Sequence, residues 1–184
     1  VHGVSDLQAQ AAAILAPRGH ARFDDPWQRM ARRFVRLVLP YAVALVVAIL
    51  VQAAVRPWFA HDSVSAEPGL WQLLAHALLL QGVLGEESLS AGVWYVAIDF
   101  QLYALLLITL WLARRLRPTS RNLGLLLVLG LLILSLFHFN RDASMDNWAI
   151  YFFGSYGLGA LTYWAVRRGA TPFWLLLVYA LVAA

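Results

Sequence analysis

The sequence predicts an all-α protein, a polytopic integral membrane helix bundle of about five spanning helices plus one short re-entrant or interfacial helix. Three observations carry that prediction. First, 61% of the 184 residues are hydrophobic and 13% are charged, where soluble domains run at about 45–50% and about 25%; the mean hydropathy is +0.67. Second, apolar runs long enough to cross a bilayer recur along the chain. Third, the basic residues, all of them Arg, gather at the ends of those runs, where they fix a helix's orientation. That placement accounts for the net charge of +4 without a nucleic-acid partner, and the exclusive use of Arg points to a GC-rich bacterial genome. With no cysteine, a disulfide framework, a thiolate metal site and a cysteine nucleophile are excluded.

Residues 1–18 form a mixed, Ala-rich lead-in, helical over 8–16. A polar break over 19–26 follows, with Asp24 or Asp25 as N-cap and Pro26 at the first helical position. Arg29, Arg32, Arg33 and Arg36 recur at helical spacing, so they share one face at the membrane entrance. Residues 34–55 then extend about 33 Å as helix, enough for a hydrocarbon core of about 30 Å, with Pro40 as a candidate kink. After a polar loop over 56–69 comes a short apolar run, 70–84. Arg clusters at 29–36, 114–121 and 167–168 should all face the cytoplasm. Residues 34–55 therefore run outward and 92–113 return, so the short run between them does not cross and lies on the outer side. Residues 122–139 go out again, 147–166 come back, and a run from Pro172 heads outward. We expect one incomplete membrane domain over 1–184, with 1–33 largely cytoplasmic and 34–184 membrane helices. The missing starting Met and the apolar run cut at Ala184 lead us to expect a piece of a longer protein.

One carboxylate stands inside the 92–113 run. A charge at the centre of a spanning helix costs roughly 2.5–3.5 kcal/mol, so Asp99 needs a partner, a cavity or a substrate path. Tyr95 and Tyr103 lie one turn to either side of it. Two readings stay open: a polar stripe lining a cavity, or a carboxylate paired with an Arg or hydroxyl of a neighbouring helix. The Arg33 and Arg36 face can bind phosphates or simply set topology. His76 can touch a substrate or bond to backbone, and Trp94 can anchor the interface or stack on a sugar. His138, Asn140, Arg141 and Asp142 make a polar outer rim. Gly154, Ser155, Gly157 and Gly159 fit close helix packing of the small-xxx-small kind, carried by Ser155 and Gly159.

Two strings resemble a known family. Arg32 to Tyr41, RRFVRLVLPY, resembles the RRxxRLxPxY start of a membrane helix in the bacterial acyltransferase-3 family of integral membrane O-acyltransferases. Val93 to Tyr103, VWYVAIDFQLY, resembles that family's WSLxxExxFY-type stretch, in matching order and spacing. The resemblance implies an enzyme of the bacterial inner membrane that moves an acyl group, usually acetyl, from acyl-CoA to a hydroxyl of a carbohydrate or cell-envelope glycan. It implies acyl-CoA as donor substrate, no permanently bound cofactor and no metal. Arg33 and Arg36, with Arg32 beside them, match the donor-binding pair. Asp99 matches the acidic position, normally Glu, and Trp94, Gln101 and Tyr103 match flanking positions; we take Asp99 and Tyr103 as the candidate catalytic residues and Trp94, Tyr95, Gln101 and His76 as the candidate acceptor contacts. Asp for Glu shortens the arm by a methylene, and Tyr95-Val96 replaces Ser-Leu. The family's general base is a His eleven residues after an Arg. None of the histidines at 20, 61, 76 and 138 meets that spacing, and His2 stands too near the start to show it. We therefore expect the base before Val1 and this piece alone to be inactive. The competing reading is a transporter or flippase of a sugar-linked substrate, with Asp99 coupling to a proton or cargo.

Overall fold

A computed structural model describes residues 25–58, 67–90, 92–117, 122–167 and 180. Among them the chain is helical, with no strand. The order is α1 (Pro26–Val55), α2 (Leu70–Ala77), α3 (Val93–Leu116), α4 (Leu123–Phe137), two 3-10 turns (Phe139–Arg141 and Ala143–Met145) and α5 (Ala149–Arg167). The expected helix at 8–16, the break after it up to residue 24, His61 and, apart from residue 180, the run from Pro172 lie outside the described residues. Among the described residues three stretches, Pro26–Val55, Val93–Leu116 and Leu123–Arg141, are long and apolar enough to cross a membrane. The 19 residues of α5 reach about 28 Å, but its Gly, Ser and Tyr residues dilute its apolar character and it is not among those three. The described residues divide into two compact units, one within 27–104 with Asn147–Ala149, the other within 105–146 with 150–167.

In the first unit, α1 begins at Pro26, where the missing N–H costs nothing. Phe34, Val38, Tyr41, Leu45 and Ile49 recur every three or four residues and so fall on one face. That face packs on Leu79, Leu89, Val93 and Ala97. The opposite one, with Leu39, Val43, Val47 and Leu50, is exposed, as suits contact with lipid. Pro40 sits on the exposed side and the helix continues through it.

The first half of α3 runs antiparallel to α1. Asp99 pairs with Arg33, Phe100 meets Phe34, and Gln81 reaches both the Tyr41 hydroxyl and the Val93 carbonyl. Asp99 is only about 9 Å along the helix from the start of α3, so α3 starts beside the middle of α1. The second half of α1 is covered instead by the segment 70–90, with Gln52 donating to the Leu89 carbonyl at 2.8 Å. The short run, expected as a non-crossing helix, is thus folded in alongside α1.

Only Leu70–Ala77 of that run is helical. It stops because Leu79 adopts φ +58, the left-handed conformation that closes a helix end. The Leu79 amide donates to the His76 carbonyl and the Leu80 amide to that of Ala75, satisfying two terminal carbonyls. A non-glycine residue there costs about 1–2 kcal/mol. The wholly buried Leu79 side chain offsets this through its packing contacts. A second such turn ends at Gly85, φ +73, with the Glu86 amide bonded to the Gln81 carbonyl at 2.8 Å.

In the second unit, α4 and α5 are joined through the 3-10 turns. Asp142 accepts from the hydroxyl and amide of Ser144, which holds its carboxyl below the usual carboxylate range, and Asn140 donates to the Tyr151 carbonyl. The close helix contact falls on Gly154 and not on Ser155 or Gly159, both of which face outward. A Cβ on Gly154 would stand 2.5 Å from Leu136 Cδ2 and 2.6 Å from its Cγ. Buried Ser135 accepts from the Gly154 amide at 2.8 Å and donates to the Tyr151 carbonyl at 3.1 Å. We expect Gly154→Val to destabilise the protein by about 1–3 kcal/mol through overpacking, and Ser135→Ala by about 1 kcal/mol. Thermal unfolding in detergent checks both; a Gly154→Val protein as stable as the parent would mean this contact is not tight.

Candidate functional site

α3 presents two different faces within its first three turns. Asp99, Phe100 and Tyr103 turn toward α1, while Trp94, Ala97, Ile98 and Gln101, at helical spacing on the neighbouring side, line a pocket.

On the α1 side, Arg33 Nη2 donates to Asp99 Oδ2 at 2.8 Å. The Arg33 guanidinium lies over the Tyr103 ring, 4.4 Å from its centre, within cation–π range. Phe34 and Phe100 close one side edge to face, with centroids 5.4 Å apart. The Arg33 side chain is 8% exposed and that of Asp99 30%. A cation so enclosed needs its counter-ion. Yet Nε and Nη1 of Arg33 are buried with no hydrogen-bond partner among the described residues. Both donors are out of reach of solvent, so a phosphate oxygen, or a carbonyl oxygen that gains charge during a reaction, would meet them only once the packing around Arg33 opens.

The pocket holds about 200 Å3. The segment after α2 supplies its other wall, with Gln81, Glu86 and Glu87, and Asn147 joins them. Gln101 ties the two walls together by donating to the Leu79 carbonyl at 2.8 Å, so the left-handed turn is anchored from α3. Among the described residues, no group of three or more His, Asp or Glu could hold a metal ion.

The sequence-predicted residues are therefore divided. Arg33, Asp99 and Tyr103 come together, and of the two readings of Asp99 the structure shows the paired one. Trp94 and Gln101 line the pocket. Tyr95 does not belong to the stripe expected of it: it is 64% exposed, turned away from both groups because Val96 and Ala97 take the inward positions. His76 is wholly buried, with Nδ1 on the Gln72 carbonyl at 2.7 Å and Nε2 accepting from the Leu89 amide at 3.2 Å. Both ring nitrogens serve backbone, so it offers none to a substrate. The four arginines do not act as one face; Arg32 and Arg36 are exposed while Arg33 turns inward. The inner-face position expected for Arg33 and the outer-end position expected for Asp99 also cannot both stand, since a direct ion pair puts the two at one level. A paired arginine can lie within a span, whereas a topology-setting one stays at its edge.

Gln81, Glu86, Glu87 and Asn147 were not among the expected site residues. Gln81 carried the same signal as Asp99, a polar side chain inside an apolar run. The two glutamates read as loop.

Removing either partner of the ion pair leaves the other charge enclosed, which costs about 3–5 kcal/mol in buried pairs. We expect Arg33→Met and Asp99→Leu each to destabilise strongly and the double variant to be less destabilised than the sum. Additive losses in a double-mutant cycle would show that the contact contributes nothing.

A family model described as an acyltransferase domain matches residues 15–184, nearly the whole chain. No curated protein and no solved structure matches it. The match extends well beyond the two strings at α1 and α3, and it is to the family those strings resemble: the chain belongs to the acyltransferase-3 family of membrane acyltransferases.

Proposed function

We propose that the protein transfers an acyl group, most simply acetyl, from acyl-CoA to a hydroxyl of a carbohydrate or cell-envelope glycan at the bacterial inner membrane. The observation that carries this is the Arg33–Asp99 pair, with two unused, buried guanidinium donors, one residue around α3 from a polar pocket. A thioester carbonyl against Arg33 Nε and Nη1 would have its developing oxyanion stabilised as the acceptor oxygen attacks. The acceptor proton passes to a base and the CoA thiolate departs. Asp99 fixes the guanidinium plane, and the Tyr103 ring holds it from the other side. Arg32 and Arg36, exposed on the first turns of α1, engage the CoA phosphates by charge. His76 cannot act as the base in this arrangement, because both its ring nitrogens are engaged.

The test is transfer of labelled acetyl from acetyl-CoA by membranes carrying the complete protein. Losing one oxyanion donor commonly costs about 100- to 1000-fold in rate. We expect Arg33→Lys, which keeps the charge and loses the fork, to fall toward that range. Asp99→Asn should lower transfer at least tenfold, and Arg32→Ala or Arg36→Ala should raise the KM for acetyl-CoA more than they lower kcat. Wild-type rates from Arg33→Lys at normal abundance would sink the assignment. Movement of a sugar-linked substrate across vesicles without acyl transfer would favour a transporter.

A further inference from the structure

The pocket beside α3 has a chemical character that acyl transfer alone does not require. Its lining includes two carboxylates, Glu86 and Glu87, and no basic residue. Gln81 lines it too, and is wholly buried with its Oε1 lacking any hydrogen-bond partner among the described residues. A buried acceptor left unsatisfied costs about 1–3 kcal/mol, so Gln81 Oε1 marks where a donor belongs. The amide's other end is committed, Nε2 facing the Tyr41 hydroxyl and the Val93 carbonyl at 3.4 Å each, which keeps the oxygen as the end available to a ligand. Trp94 adds an aromatic face to the same wall, and such faces attract both sugar C–H surfaces and cations.

Carboxylates without a countering cation in the lining, an unpaired buried acceptor and an aromatic wall select a ligand rich in N–H and O–H, and favour a positive one over a negative one. The volume of about 200 Å3 is that of a single small ring. We propose that this pocket is the acceptor subsite and that it takes an amine-bearing hydroxylated ring, an amino sugar with a free amine, in preference to a neutral sugar, and rejects an acidic one. Glu86 and Glu87 set that charge preference, Gln81 Oε1 receives a ligand hydroxyl or ammonium proton, and Trp94 packs on the ring. The naming of this ligand as the acceptor rests on the acyltransferase reading above; the binding preference does not. The same charge keeps CoA phosphates out, which leaves the donor to the arginine side.

Equilibrium dialysis of the complete protein in detergent against labelled glucosamine, methyl glucoside and glucuronate tests it. Glucosamine should bind tightest and glucuronate at least tenfold more weakly than glucosamine. The Glu86→Gln, Glu87→Gln double variant, which changes side chains at the pocket rim, should weaken glucosamine about tenfold, a shift of about 1.4 kcal/mol. It should leave methyl glucoside within about twofold and improve glucuronate. Trp94→Ala should weaken all three. Glucuronate binding as tightly as glucosamine, or glucosamine indifferent to both variants, overturns the proposal. Acetyl transfer measured on the same samples separates the two ideas. Transfer with charge-blind sugar binding removes the pocket assignment and leaves the enzyme, whereas charge-selective binding without transfer does the reverse.

Discussion

Much of the first unit depends on where one arginine finds its counter-ion. Arg33 and Asp99 are 66 residues apart in sequence, and neither charge is stable in an apolar helix bundle alone. Their meeting sets the level of α3 against α1. Because Asp99 is so near the start of its helix, that level leaves half of α1 without a full-length neighbour. The segment 70–90 fills the gap, and the pocket exists because that segment is a hairpin of turns and one short helix instead of a smooth rod.

The same register makes α3 a partition. Residues one position apart, Ile98 and Asp99, look into different surroundings, one toward the carboxylate-lined pocket and the other toward the buried guanidinium. For a two-substrate reaction this is a useful geometry. On the acyl-transfer reading proposed above, the guanidinium side would take the phosphorylated donor and the carboxylate side the acceptor, so that neither substrate occupies the other's place.

The membrane helices were legible because bilayer thickness and apolar length are read directly from sequence, and α1 and α3 stand where hydropathy and Pro26 put them. Asp99, Arg33 and Tyr103 were legible for a related reason: a charge inside an apolar run must be answered. What was not legible was which answer. Helical spacing cannot say that Arg33 faces α3 while Arg32 and Arg36 face outward, since that is decided by a partner distant in sequence. Spacing allowed His76 to bond the Gln72 carbonyl four residues earlier, but could not say that the Leu89 amide, thirteen residues on, would take its other ring nitrogen. The turn at Leu79 puts a leucine where sequence reasoning looks for glycine, and tertiary burial of its side chain is what makes it tolerable.

The segment after α2 carries its own solvent. Backbone groups that water would satisfy in a loop, or a helical ladder in a span, are met here by the amides of Gln52, Gln72 and Gln101 and by the imidazole of His76. Hydropathy scores each of these side chains as a defect in a membrane protein, and a leucine in its place as an improvement. In this hairpin the scale has the wrong sign: the polar side chains help a non-helical backbone to lie against a spanning helix, and leucines in their place would leave the Leu79, Glu87 and Leu89 carbonyls and the Leu89 amide without these partners.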